Sequence, residues 1–540
     1  MKSKRMRSIV LTASLALTAG VVAPGIHGIQ PVSAQEKQQP ASAQTKQKKY
    51  AEPDKSSQTR MIITTDGEVD DQNSLRHLLL YADDFDIAGI VYSSSMYHWQ
   101  GDGVHTLKEI AKSYKSEVPN EGDLKIYRPQ PMGWIEDVIN NEYAKDYKNL
   151  VKNDPKYPSP DALMSVVKVG NVEFEGDVRN ATEGSELIKK AILDNDPRKL
   201  YIETWGGFNT TARALLSIAD EYKNTPQWKS IQDKVVNKVI ILAHAQDNTW
   251  TDYDIPGLYP GLVTYDGAYN DYAYFGSRTA NAETRYTFQP EWLTKNIIFD
   301  HGKMMSNYHT MGDGTYYPGE PDNFQYGLTA ALDWRPLGYP NAYYTFDKYE
   351  WLGEGDSLTW FPLIPVGLRG LENPNYGTWG GRIKVNDKAM NKAGSYLEND
   401  YVTGTKDDFS AKRFLLQLQQ DWAVRSDWAV NSYKDSNHAP VVSAKVKDIT
   451  AKAGDVVTLE GNASDPDGNA LNIKWWVYKD ASEYTGAATG LQVWDSNQLT
   501  TKFTVPKDAV SGDYFNIVLE VSDNAKAPMT RYAQVIVKVQ

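Results

Sequence analysis

The 540-residue chain contains no cysteine, which removes disulfides, thiol nucleophiles and thiolate metal ligation from consideration. A basic surplus is missing too. Against 57 Lys and Arg stand 69 Asp and Glu, a formal net charge of -12, the wrong sign for gripping a phosphate backbone; nucleic acid is not an expected partner. Histidine is scarce at 8 residues, and His98, His244, His301 and His309 lack the spacing of zinc ligands, each remaining a candidate general acid. No internal repeat spans the chain. The N-terminal apolar stretch, Ser8 to about Val22, is short and rich in small residues, which argues against a membrane anchor. It follows a basic Met1–Arg7 and precedes a small-residue cleavage motif, Val32-Ser33-Ala34. Residues 1–34 therefore read as a bacterial secretory signal peptide, predicting an extracellular protein with no membrane span after cleavage.

What the chain has in surplus is aromatic. Trp (15) and Tyr (34) are numerous, as in proteins whose ring faces stack on sugars, and equally as in proteins that use these rings to fill cores. Residues 35–58 are Gln-, Lys- and Ser-rich without periodicity and predict a disordered linker. From Arg60, strand and helix patterns alternate. Strands are expected at Met61–Thr65, Phe85–Tyr92, Lys199–Glu203 and Val235–Ala243, and helices at Leu75–Tyr81, Val104–Val118, Glu183–Leu193, Thr211–Tyr222 and about Phe409–Val430. Residues 128–180 and 250–380 show few periodic elements. This βαβα succession predicts an α/β domain over 59–436, a mostly parallel sheet with helices on both faces. After Asn437-His-Ala-Pro440, short β runs separated by turn residues predict an all-β immunoglobulin- or cadherin-like sandwich over 437–540. Within it, Asp465-Pro-Asp-Gly468 reads as a plain turn or as a calcium loop.

The chemistry concentrates in Arg60–Ser74. A buried-strand run ends at Thr65, the chain turns at Gly67, and a helix follows. Asp66 thus falls at a strand's carboxyl end, with Asp70 and Asp71 at the start of the next helix, where open α/β sheets bind ligands. Three carboxylates so close call for a counter-cation, and an oxygen-only donor set favours calcium over zinc. Asp70 and Asp71 also suit a helix N-terminus, but that leaves Asp66 unexplained. The Thr204-Trp-Gly-Gly207 strand end and Asp356 in Glu354-Gly-Asp-Ser-Leu358 are candidates to extend the cluster, with a turn as the alternative for each. Gln246, Asp247 and Asn248, after the fourth strand, are candidate binders of sugar hydroxyls, or a surface loop. Arg382 contacts substrate or pairs with an acid.

Thr65-Asp-Gly-Glu-Val-Asp-Asp71 resembles the aspartate motif of nucleoside hydrolases. The fuller resemblance, over roughly 60–540, is to secreted bacterial nucleoside hydrolase-like proteins described as cellulose-binding, with a C-terminal cadherin-like domain. It is carried by Thr65–Glu68 with Asp70-Asp71, Gly355–Ser357, Ile364–Leu368, Trp379–Arg382, His438–Pro440 and Asp465–Gly468. The resemblance implies a calcium ion held by Asp66, Asp71, the Thr204 carbonyl and Asp356. It implies Asp66 as the base that deprotonates a water and Asp70 as a sugar-hydroxyl ligand. The substrate class is then a carbohydrate or glycoside. Three departures stand out: Thr64 replaces the motif's first aspartate, Gly67-Glu68 replaces its Pro-Gly, and Gly355 stands where some relatives carry a histidine for the leaving base. These weaken the case for a nucleoside substrate and leave a non-catalytic carbohydrate-binding protein as the rival reading. A haloacid-dehalogenase-type phosphatase is disfavoured, because its nucleophilic aspartate would fall on Thr64.

Overall fold

The computed structural model describes residues 52–115, 120–243, 247–266, 280–313, 347–387, 392–395, 398–399, 406–407, 410–486 and 490–540. The signal-peptide segment, most of the expected linker, and the candidates His244 and Gln246 lie outside these. The strands of the main sheet are β1 (Thr59–Thr65), β2 (Phe85–Tyr92), β3 (Val167–Val169), β4 (Leu200–Thr204), β5 (Val239–Ala243), β6 (Val263–Asp266), β7 (Ile383–Asp387) and β8 (Lys392–Ser395). They lie in the order β3-β2-β1-β4-β5-β6-β8-β7. Every neighbouring pair is parallel except β7 with β8. Helices α1 (Val69–Leu79), α2 (Ala144–Asn153), α3 (Glu183–Leu193), α4 (Asn209–Tyr222), α5 (Trp228–Lys238), α6 (Ser357–Trp360) and α7 (Leu415–Trp428) accompany it. Two large apolar clusters cover the sheet. One gathers Met61, Ile63 and Tyr201, and the other Ile62, Ile202 and Ile241, so alternate residues of each strand face opposite layers.

Strand order places the binding crevice. From β1 the sheet grows outward through β2 and β3, and β4 returns to the other side of β1. The two halves part at the carboxyl ends of β1 and β4, the switch point where such sheets bind ligands. Register puts Thr64 beside Thr204, and Asp66 and Trp205 follow at once.

Several expected elements differ. The helix expected over Val104–Val118 is one turn, Leu107–Ile110, whose apolar residues pack with Trp99 and Phe174. Ser113 is then fastened to Asp252 and the Lys115 amide to Glu175, so long-range hydrogen bonds override local periodicity. Val235 belongs to α5, and strand β5 begins only at Val239. The segment read as irregular from 128 carries continuous helix over 134–153, with one π-helical stretch, Val138–Tyr143. The last residues of the expected linker are tied down: Arg198 donates to the Lys55 and Gln58 carbonyls at 2.6 and 3.1 Å.

Beyond a two-stranded ribbon of β9 (Glu398–Asn399) and β10 (Lys406–Asp407), the C-terminal region is two four-stranded sheets. Their strands are β11 (Val441–Ala444), β12 (Asp448–Ala451), β13 (Val456–Ser464), β14 (Leu471–Val477), β15 (Val493–Trp494), β16 (Thr500–Thr504), β17 (Tyr514–Asp523) and β18 (Thr530–Val539). The sheets run β11-β13-β16-β15 and β12-β18-β17-β14, antiparallel except where β12 meets β18. The second sheet docks on the α/β layer. The Tyr532 amide donates to the Val366 carbonyl at 2.8 Å, Gln534 donates to Tyr376 at 2.7 Å, and Asn375 donates to the Tyr514 hydroxyl at 2.6 Å. Tyr478, Val518, Met529 and Tyr532 join the same apolar cluster as Trp360, Trp379 and Trp422. In Asp465–Gly468 the Asp465 carboxylate accepts from the Asp467 and Asn469 amides at 2.9 and 2.8 Å, the pattern of a turn, and Asp467 accepts from the His438 amide at 2.6 Å.

Candidate functional site

Asp66 is held where β1 ends and is 0% exposed. Gly67 follows at φ +80°, a conformation that favours glycine, and a Cβ there would stand 2.4 Å from the Gln130 side chain. The Gly67 amide donates to the Thr65 hydroxyl at 3.1 Å, and that hydroxyl donates to the Asp71 carboxylate, locking the strand end to the first turn of α1. On the other side, a Cβ on Gly206 would lie 2.9 Å from the Asp66 carboxyl carbon, so only glycine lets the strand after Thr204 press against the acid.

Asp356 arrives from far along the chain, and α1 delivers it. Asn73 donates to the Gly353 and His309 carbonyls at 2.7 and 2.8 Å and accepts from the His309 amide at 2.9 Å. One turn on, His77 Nδ1 meets Glu354 at 3.0 Å, and the Ser357 hydroxyl donates to the same carboxylate. Trp205 Nε1 donates to Thr359 Oγ1 at 3.0 Å, tying the Thr204 strand end to α6, at whose N-terminus Asp356 sits. Asn73, His77 and Glu354 were not among the sequence candidates. Asn73 and His77 stand four apart on one face of α1, a spacing that α1 shares with other polar residues and that does not by itself mark them.

The site carries five buried acids: Asp66, Glu68, Asp70, Asp71 and Asp356. Among the described residues, Glu68, Asp70 and Asp71 place carboxylate oxygens within 4.8 Å of one another. Like charges about 5 Å apart repel by roughly 3 kcal/mol at an effective dielectric near 20. Burial, with neighbouring Glu68, raises Asp66 to about 6. Asp71 is pushed well up by burial, then by Asp356, Asp66 and Asp70. Asp356 is pushed well up by burial, then by Asp70 and Asp66. The late aspartate therefore shares one electrostatic environment with the motif at β1.

The acids are not equally provided for. Glu68 meets His98 Nε2 at 2.6 Å and Arg128 at 3.5 Å, so protein donors already answer its charge. Both Asp66 oxygens and Asp356 Oδ2 are buried without a hydrogen bond of ordinary geometry; nearby Ser95 and Asp71 act on Asp66 in the lowering direction, against its burial. Buried carboxylate oxygens of that kind fit a hard cation. Among the described residues, Glu68, Asp70 and Asp71 form the carboxylate group that could hold such a cation, and Asp66 and Asp356 add buried oxygens to its surroundings.

The other candidates have different surroundings. Asp247 accepts from the Phe208 amide at 2.8 Å and the Thr249 amide at 2.9 Å, bracing the loop after β4 rather than pointing free oxygens at a sugar. Asn248 directly precedes a short helix, Thr249–Asp252, without a side-chain cap bond to it. Arg382 is buried against the Asn375 carbonyl at 3.0 Å and near the Tyr478 ring of the sandwich. These contacts place it at the seam between the α/β layer and the sandwich. His98, beside Glu68, is the histidine the fold brings into the cluster.

A parallel sheet with an acidic crevice at its switch point, followed by a β-sandwich, defines a protein of nucleoside hydrolase-like architecture. The chain belongs to the family described as cellulose-binding Sde182, nucleoside hydrolase-like domain, whose family model matches residues 60–383. A second model, cellulose-binding protein Sde0182, C-terminal domain, matches residues 456–539. Among solved structures the chain is similar to a nucleoside hydrolase-related hypothetical protein from Saccharophagus degradans that is associated with carbohydrate metabolism. That similarity has 24% identity and a TM-score of 0.62, covering 89% of this chain and 100% of that one, and it shows the fold alone. A chimeric titin Z1Z2 structure, at 20% identity, 19% of this chain, 99% of that chain and a TM-score of 0.13, carries no argument. No curated protein matches the chain.

Proposed function

We propose that the crevice binds calcium and hydrolyses a glycosidic bond, N- or O-linked, in a carbohydrate outside the bacterial cell. The observation that carries this reading is the Asp66 carboxylate: fully buried, neither oxygen in a hydrogen bond of ordinary geometry, beside two more acids that raise one another's proton affinity. Such a group is costly unless a cation or a reaction uses it. Asp66, Asp71 and Asp356, with the Thr204 carbonyl, would hold the ion. When bound, calcium makes a neighbouring water a stronger acid. Asp66 takes the proton at a carboxylate oxygen. Asp70, at the first turn of α1, accepts hydrogen bonds from sugar hydroxyls and orients the ring. The remaining negative charge stabilises positive charge growing at the anomeric carbon. The signal-like N-terminus supports an extracellular setting, and the cellulose-binding family names support a carbohydrate partner.

The test is release of reducing sugar or nucleobase from a panel of plant-glycan oligosaccharides and nucleosides, with calcium or with chelator. Calcium-dependent turnover abolished in Asp66→Ala supports the reading. A second reading, non-catalytic carbohydrate binding, draws on the family names and on Gly355 beside Asp356. Retention on insoluble cellulose with no turnover of any panel member would establish it instead.

A further inference from the structure

The two sheets of the sandwich have different fates. The sheet β12-β18-β17-β14 is consumed by docking, through Tyr514, Tyr532 and Gln534, whereas β11-β13-β16-β15 turns a face to solvent. We propose that this outer face, centred on Trp494, is a docking platform for an extended, uncharged polysaccharide, separate from the acidic crevice. The ligand class rests on the carbohydrate reading above; the location does not.

Trp494 is 58% exposed, yet it is held: its Nε1 donates to Thr504 Oγ1 on the adjoining strand at 3.4 Å. Register then sets out the face. Trp494 pairs with Lys502, Lys502 with Thr458, and Thr504 with Val456, all four partners exposed. An exposed indole beside the Thr458 and Thr504 hydroxyls offers stacking and hydrogen bonding together, the mixture a pyranose chain presents in return. Charge points the same way. In a chain of net charge -12, this face carries Glu460, neutralised by Lys445 at 2.7 Å, and Lys502. A nearly neutral face selects a neutral polymer over an acidic or basic one.

The experiment is depletion of the full mature chain from solution by microcrystalline cellulose, with a pectate gel as the charged comparison. Trp494→Ala should lower the cellulose partition coefficient at least about tenfold, with unchanged melting temperature and unchanged calcium response. Trp494→Tyr should retain most of the binding. Asp356→Asn should lose the calcium response and stay on cellulose. Undiminished retention of Trp494→Ala would overturn the platform while leaving the carbohydrate reading intact. So would loss of retention in Asp356→Asn, which would move the cellulose site to the crevice. Preference of the wild-type chain for pectate, or retention on neither, would also overturn it.

Discussion

Replacing Asp66 with asparagine should stabilise the protein without calcium and deprive it of its response to calcium. The carboxylate is buried, and its proton affinity rises from an ordinary 3.8 to about 6. Two pKa units correspond to about 3 kcal/mol. The sign follows from proton binding: between about pH 4 and 6 the folded state holds a proton that the unfolded state has released. Stability of the cation-free protein therefore falls as pH rises through that window, and the penalty is complete above it. Asparagine keeps the shape and removes the charge. Denaturant unfolding in chelator should show Asp66→Asn more stable than wild type at pH 8 by up to about 3 kcal/mol, and nearly equal below pH 4. Calcium at a hundred times its dissociation constant stabilises a single site by about 2.7 kcal/mol. Wild type should gain that amount and the variant almost none. A variant less stable than wild type in chelator at pH 8, or equally stabilised by calcium, would refute the argument.

Calcium binding should release protons, because Asp66, Asp71 and Asp356 all hold protons more tightly than free carboxylates; calorimetry in buffers of different ionisation enthalpy at pH 5.5 measures the number. Asn73→Ala removes the bonds that hold Gly353 and His309 and should cost about 2–4 kcal/mol, with calcium affinity reduced in the same preparation. Arg531→Met leaves the Asp421 carboxylate, which Arg531 meets at 2.6 Å, with less compensation; unfolding should move by roughly 3 kcal/mol and remain one transition, since the sandwich and the α/β layer share a core. Two separated transitions in calorimetry would contradict that shared core.

The sequence was most legible where one periodic signal decided the outcome. Phe85–Tyr92 and Glu183–Leu193 form as read, because a continuous apolar run and a capped amphipathic pattern each have one good solution. It was least legible where distant contacts decide. The helix expected at Val104 stops after one turn because Ser113 and Lys115 bond to residues far away in sequence. The helical residues 134–153 were hidden by frequent Asn and Asp, of which Asp137, Asn140 and Asn141 are exposed, although Trp134, Val138, Tyr143, Tyr147 and Leu150 line the core. The strand-end position of Asp66 was readable from its local pattern. The braces that deliver Asp356, Asn73 with Gly353 and His77 with Glu354, span more than two hundred residues, and no local pattern encodes such a pairing. The Trp-Gly-Gly-Arg motif gave no local hint that Trp379 and Arg382 lie at the seam with the sandwich.

The most direct measurement is a crystal structure of the mature chain grown with calcium, with anomalous scattering to identify the ion. The account predicts one cation about 2.3–2.6 Å from oxygens of Asp66, Asp71 and Asp356, beside the end of β4. A cation held by Glu68 and Asp70 without Asp66, or no cation at saturating calcium, would contradict it.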